Sequence, residues 1–432
     1  MPPKTKSFSV IVPLILIISL FFLWGVANNL NDILIKQFKK AFTLTDFQSV
    51  LVQSAFYIGY FLLALPASVV MRRFGYKTAV VIGLGLYAIG AFMFYPAAQL
   101  QTYGLFLTAL FVIASGLAFL ETSANPLMTV LGDPAGATQR LNFAQSFNSL
   151  GAISGALVGR NFILSGVEPS AAALKAMSPA ALTAFYAHEA HAVQTPYIVL
   201  GLIVLGCCLV TAMTRFPSIA EAGAESETTP PLLSAIRQLA ARPRYVFGVV
   251  SQFFYVGAQV GIWSLTIRYA QHEVPGMGEK TAAAWLTGSL VAFMIGRFGG
   301  WALMGGISPA RLMGLFGAAN VVLMGIAALV GGTVGLYALA ASSLFMSIMF
   351  PTIFSLSLRD LGPLTKTASS FLIMSIIGGA LLPLLMGHIS DLSNIAYAML
   401  VPGFCFLIIT LFGFSAADTK ASELQAAPVG AP

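Results

Sequence analysis

The chain has 432 residues, of which 58% are hydrophobic and 9% charged, whereas soluble domains are about one quarter charged. That composition excludes an ordinary soluble enzyme, and the net charge of +7 needs no nucleic acid to explain it, because most of the basic residues read as anchors beside a membrane. No Gly-x-x-x-x-Gly-Lys-Ser/Thr loop is present, so ATP is not expected to drive any work directly, and no nucleophile–base set marks an enzyme.

A full membrane crossing needs about 20 apolar residues for a hydrocarbon core of roughly 30 Å. Twelve spans are predicted, at 9–35, 46–71, 78–97, 102–130, 139–164, 195–215, 245–268, 281–303, 309–330, 333–358, 366–389 and 394–415. Lys4 and Lys6 precede the first apolar run as in a signal peptide, but no small-residue cleavage site follows and the run leads into polar Asn28–Asp32. A retained first helix is therefore expected.

In the first span Gly25, Asn28, Asn29 and Asp32 fall at i, i+3, i+4 and i+7 and form one polar stripe. A charge at membrane depth costs from about 2.5 to well over 10 kcal/mol, so such an acid usually marks an ion or substrate path. Asp32 has one alternative role, a helix-end pair with Lys36 four residues on. The fourth span holds a second acid, Glu121, which shares a face with Asn125 and has no cation nearby in sequence. In the fifth span Asn142, Gln145 and Asn148 repeat every third residue, as cavity lining or as amides that join helices. Amides donate and accept while carboxylates accept, so three such stripes predict a surface that grips several hydroxyls at once, as a sugar requires.

The polar stretch Gly166–Gln194 is expected to be an outer loop with a short helix; its His188 and His191 are too weak a pattern to predict a metal site. Composition shifts between Phe216 and Arg244, where Glu221, Glu225, Glu227, Pro230 and Pro231 rule out a span. This divides the chain into six-helix bundles at 1–216 and 245–415, a cytoplasmic linker at 217–244 and a disordered tail at 416–432. In the seventh span Gln252, Tyr255, Gln259 and Trp263 share compatible spacing, and Met349 and Phe350 precede Pro351 in the tenth. Their aromatic and thioether surface suits the CH face of a sugar ring, and Trp24 joins the same set; for Trp24, Trp263 and Phe350, packing is the alternative. The halves echo each other in Phe143, Gly151 and Gly159 against Phe371, Gly379 and Gly387, and in Gly132 against Gly362. Such repeats place a binding site near the midplane where the halves meet.

With both termini in the cytoplasm, basic residues favour the inner side roughly two to one, with Arg72, Arg73, Lys77 and Arg297 among them, although Lys36, Lys39 and Lys40 fall outside. Cys207, Cys208 and Cys405 lie in apolar runs and read as small hydrophobes.

Several motifs carry a family resemblance. Met71-Arg72-Arg73-Phe74-Gly75-Tyr76-Lys77 resembles the short basic loop of the major facilitator superfamily, with Arg72 where that superfamily usually has Asp. FFLWGVANNLNDIL from Phe21, FLETSANP around Glu121, RLNFAQSFNSLGA from Arg140, TPY from Thr195, IGRFGG from Ile295 and PTIFSLSLRDLG from Pro351 resemble its L-fucose:proton symporter branch over nearly the whole chain. The resemblance implies an all-α membrane protein of twelve transmembrane helices in two pseudo-symmetric six-helix bundles, working by alternating access. It implies that Asp32 carries the coupled proton, that Glu121 serves sugar recognition and coupling, and that Asn29, Gln145 and Asn148 line the cavity. One departure is Met349-Phe350, where the fucose carriers tend to have a Gln-Tyr pair, which opens the choice to glucose, galactose or mannose.

The expectation is proton-coupled uptake of a monosaccharide across a bacterial inner membrane. Sugar, protons and lipid are the expected partners of a monomer without a cofactor. A proton-driven exporter would want a broad apolar cavity, and a sugar sensor would carry long cytoplasmic extensions; the polar stripes and the short tail fit neither.

Overall fold

The computed structural model describes residues 8–42, 46–131, 133–158, 162–163, 177–216 and 230–426. Among them no strand occurs, as expected where a backbone without water must satisfy its own hydrogen bonds inside each segment. The helices are α1 (Phe8–Ala41), α2 (Asp46–Gln99), α3 (Tyr103–Val130), α4 (Ala137–Val158), α5 (Pro179–His191) and α6 (Gln194–Met213). They continue with α7 (Leu232–Ala240), α8 (Pro243–Glu273), α9 (Glu279–Leu303), α10 (Pro309–Leu329) and α11 (Gly332–Met346). The last are α12 (Met349–Leu358), α13 (Thr365–Met374), α14 (Gly378–Leu392) and α15 (Leu400–Ala426), the last preceded by the turn Ile395–Ala398.

Ten segments among the described residues are long and apolar enough to cross a membrane. One of them, Ala55–Gln99, holds two arms of α2 that meet at Gly75. There φ is 84°, a value that glycine reaches without steric cost, so the predicted loop contracts to a single break. The helix α4 is missing from the ten because Gln139, Arg140, Asn142, Gln145 and Asn148 lower its hydropathy. Separating the arms and adding α4 is consistent with the twelve predicted crossings. Three predicted spans are not continuous helices: 333–358 breaks between α11 and α12, 366–389 passes through a 3-10 turn at Ser375–Ile377, and 394–415 breaks at Met399.

The chain divides into two compact units, Met1–Ala124 with Phe147–Ser226, and Asn125–Ser146 with Glu227–Pro432. In the first unit, α1 and α4 cross with almost no side-chain layer between them. A Cβ at Gly25 would strike the carbonyl oxygen of Asn148, and one at Gly151 would strike that of Phe22. Small residues permit this approach, a common device where the surrounding lipid is as apolar as the helices. Tyr87 ties α2 to α1 by donating to the Leu23 carbonyl at 3.2 Å. The rings of Phe94 and Tyr197 stack with centroids 3.7 Å apart and join α2 to α6.

In the second unit, Arg140 donates to the carbonyls of Asp133 (2.7 Å) and Thr129 (3.1 Å), which closes the C-terminal end of α3 against the start of α4. Asp133 caps the 3-10 turn Pro134–Gly136 that leads into α4, and a second 3-10 turn, Gly362–Leu364, leads into α13. Gly362 opens the second of these turns, whereas its predicted counterpart Gly132, like Gly159, lies outside the described residues. At the start of α11, Oε2 of Glu273 accepts from the Gly332 N–H at 2.8 Å, a favourable place for a carboxylate at a helix N-terminus. Of the predicted linker, 217–229 lies outside the described residues and α7 follows; α15 continues to Ala426, and 427–432 lie outside.

Candidate functional site

The first unit holds one of the two intramembrane acids in full view. Glu121 lies on α3, 3% exposed, in a helix whose neighbouring residues are hydrocarbon or small. Its Oε1 accepts from the hydroxyl of Tyr60 on α2 at 2.7 Å. The Trp24 side chain on α1 approaches the same carboxylate. Trp24 is held flat against Phe21, with ring centroids 4.9 Å apart, so its indole cannot swing without disturbing a stack. Three helices therefore meet at one carboxylate. Asp32 lies on α1, and its side chain lies outside the described residues.

On the same α1 face, Asn29 donates to the Gly25 carbonyl at 3.4 Å, while the buried Oδ1 of Asn28 has no protein partner among the described residues. Asn148, brought close by the glycine crossing, donates to the Phe21 carbonyl at 3.2 Å. These three amides sit on elements locked together by backbone contact, which is the preorganisation that a binding surface needs.

The second unit holds a separate polar cluster. Gln145 donates through Nε2 to Oδ1 of Asn125 at 3.0 Å. Its backbone carbonyl and its Oε1 both accept from Nη1 of Arg297, the latter at 3.1 Å. Arg297 on α9 is 5% exposed, and its guanidinium lies 4.7 Å from the ring centroid of Phe293. Asn142 donates to Thr352 Oγ1 at 3.1 Å, and Thr138 and Ser355 share a hydrogen bond of 2.9 Å. On α8, Gln252 and Tyr255 are fully buried, and neither amide atom of Gln252 has a partner among the described residues. Gln259 and Trp263 are half-buried on the same helix, and Trp263 donates to Ser343 at 3.2 Å. Phe350 is half-buried, its ring centroid 6.3 Å from that of Tyr255, while Met349 is wholly inside the core.

The sequence profile of the Major Facilitator Superfamily matches residues 13–375. The L-fucose-proton symporter of Escherichia coli (strain K12) is 46% identical over 94% of this chain and 93% of its own length. The chain belongs to the major facilitator superfamily, in its L-fucose:proton symporter branch. A crystal structure of a superfamily transporter, FucP, in the outward conformation matches with a TM-score of 0.89 at 46% identity, over 94% of this chain and 99% of that one. The glucose/galactose transporter of Brucella abortus biovar 1 (strain 9-941) is 37% identical over 91% of each chain. The all-α fold of this superfamily is thus the fold of the chain, and the protein is a transporter rather than an enzyme.

Two residues at the centre of these clusters in the superfamily member escaped the sequence reading. Tyr60 is one of two phenols in FYIGY, where a ring with a polar tip inside an apolar span was the available signal. Sequence alone groups Arg297 with the cations that anchor the inner side, but its burial removes it from that set. Its signal was the IGRFGG motif: a Cβ at Gly296 would strike the Leu344 carbonyl, so the glycines beside Arg297 let α9 press against α11 and draw the guanidinium inward.

Proposed function

We propose that this protein takes up a monosaccharide, L-fucose or a sugar of similar shape, together with protons. The observation that carries this reading is Glu121: an acid buried in a membrane helix, held by the Tyr60 hydroxyl of a second helix and approached by Trp24 of a third, in a chain 46% identical to a protein named L-fucose-proton symporter. Asp32 takes up the proton, and Glu121 couples the proton to the sugar. Trp24, Asn29, Gln145, Asn148, Gln252, Tyr255, Gln259 and Phe350 supply the hydroxyl-binding and ring-packing groups. The chain acts as a monomer in a bacterial inner membrane, with both termini in the cytoplasm and the proton as its coupling ion. Bundles at 1–216 and 245–415, joined by a linker at 217–244, are the working halves of the alternating-access cycle.

The energetics suffice. A proton moving down a potential of about 100 mV releases roughly 2.3 kcal/mol, and one pH unit adds about 1.4 kcal/mol. Together they sustain a sugar gradient of several hundredfold, at about 1.4 kcal/mol per factor of ten.

A glucose-, galactose- or mannose-type preference is the second reading, favoured by Met349-Phe350 in place of a Gln-Tyr pair and by the similarity to a glucose/galactose transporter. The amide rows count against an exporter of hydrophobic compounds. The test is a sugar panel added to lightly buffered proteoliposomes. Alkalinisation of the outer medium by one or more sugars supports the reading, and competition of labelled L-fucose uptake by galactose, glucose, mannose and arabinose ranks them. No pH change with any sugar removes it.

A further inference from the structure

Arg297 is a fixed charge in an unusual setting. Among the described residues no carboxylate pairs with it, and its partners are Gln145 and the face of Phe293. A guanidinium only donates hydrogen bonds, whereas a side-chain amide can present either end. The contact with Nη1 therefore gives the Gln145 amide a single sense: its oxygen faces Arg297 and its nitrogen faces Asn125. That sense is passed on. Oδ1 of Asn125 is engaged by Gln145, so the nitrogen of Asn125 points the other way. One arginine, 152 residues distant from Gln145 in the chain, sets the donor and acceptor ends of two amides.

Sugar epimers differ in the direction of a single hydroxyl. An amide that is free to turn over offers a donor or an acceptor as needed and tolerates both epimers, whereas an amide of fixed sense does not. A site built to hydrogen-bond one arrangement leaves buried polar groups unmatched by the other, and such mismatches dominate discrimination. We propose that Arg297 is a specificity-determining positioning residue: by holding the Gln145–Asn125 pair in one donor–acceptor sense, it selects the hydroxyl arrangement of the monosaccharide that is carried. This rests on the sugar-uptake reading above.

The test compares wild type, Arg297→Lys, Arg297→Gln, Gln145→Ala and the double variant Arg297→Gln/Gln145→Ala in proteoliposomes. KM and Vmax are measured for L-fucose, galactose, glucose and mannose, with thermal stability recorded for each protein. In Arg297→Gln the spread of KM between the best and worst sugar narrows by about tenfold, the usual scale for losing one charge-assisted hydrogen bond. Arg297→Lys, which also only donates, keeps the order of preference at a higher KM. The double variant is no less selective than the more affected single variant, as for two residues acting as one unit. Equal rises in KM for every sugar, multiplying effects in the double variant, or a lysine variant as unselective as the glutamine one would each overturn the proposal. Should Arg297→Gln not fold, Arg297→Lys and Gln145→Ala decide: retained order in the first with a narrowed spread in the second supports it, and equal loss in both overturns it. A wild type that carries no sugar overturns this proposal and the uptake reading together, whereas a selective wild type with an equally selective Arg297→Gln overturns this proposal alone.

Discussion

The hydroxyl of Tyr60 donates to Oε1 of Glu121 across 2.7 Å, and both side chains are buried. A carboxylate in hydrocarbon is tolerable only where the protein supplies the hydrogen bonds that water would give it. Tyr60 supplies one of them, and the Trp24 side chain approaches the same carboxylate.

Removing the Tyr60 hydroxyl leaves the acid in place but loosens its aim. A hydrogen bond to a charged group contributes about 1.5–3 kcal/mol. Tyr60→Phe is expected to weaken sugar affinity at least tenfold by that scale, with Trp24→Phe acting in the same direction. Isothermal titration with purified protein measures this. A Tyr60→Phe carrier with wild-type affinity would dissociate this pair from recognition.

Asp32→Asn removes a group that can bind and release a proton while keeping nearly the same volume. Uphill accumulation of sugar is expected to vanish, while exchange of labelled for unlabelled sugar at equal concentrations persists. Uptake against a tenfold gradient by this variant would sink the coupling role assigned to Asp32.

The crossing of α1 and α4 tolerates no added atoms. Gly151→Leu places a side chain against the Phe22 backbone, and overpacking of this kind costs about 1–3 kcal/mol or more. Its melting temperature in detergent should fall by several degrees. Gly85→Leu, at a position with open space around it, is the matched control and should not lower the melting temperature. Equal stability of both variants would show that the close approach is absent in the protein.

The Met349-Phe350 departure separates into two unlike positions. Phe350 is half-buried beside Tyr255, so Phe350→Tyr can place a hydroxyl without burying it unmatched, and is expected to lower KM for L-fucose relative to galactose. Met349 is fully buried in the core, and Met349→Gln strands an amide there at about 1–3 kcal/mol. Competition assays and melting curves check the two halves of this prediction.

Hydropathy made the crossings legible, because an apolar run of the right length has few alternatives. It was blind to the breaks. Ser347 bonds back to the Leu344 carbonyl at 2.6 Å where α11 ends, and Ser375 bonds back to Leu372 at 2.6 Å where a 3-10 turn interrupts the next predicted span. Both are changes in local hydrogen bonding with no trace in average hydrophobicity. At the site, the stripes through Asn29, Gln145 and Asn148 were visible by helical spacing. The partner of Gln145 was not, since no periodicity links α4 to α9. The polar character of α4, visible as its amide row, is also what keeps it below the hydropathy of its neighbours.

The glycine seam between α1 and α4 also limits how this molecule can move. Backbone meshed with backbone has no rotamers to exchange, so neither helix can slide or roll past the other without lifting off entirely. Across any conformational cycle the two must travel as one stiff plate, carrying Asn28, Asn29 and Asn148 at constant separation. Whatever bends or pivots in this protein, the spacing of these three amides stays the same.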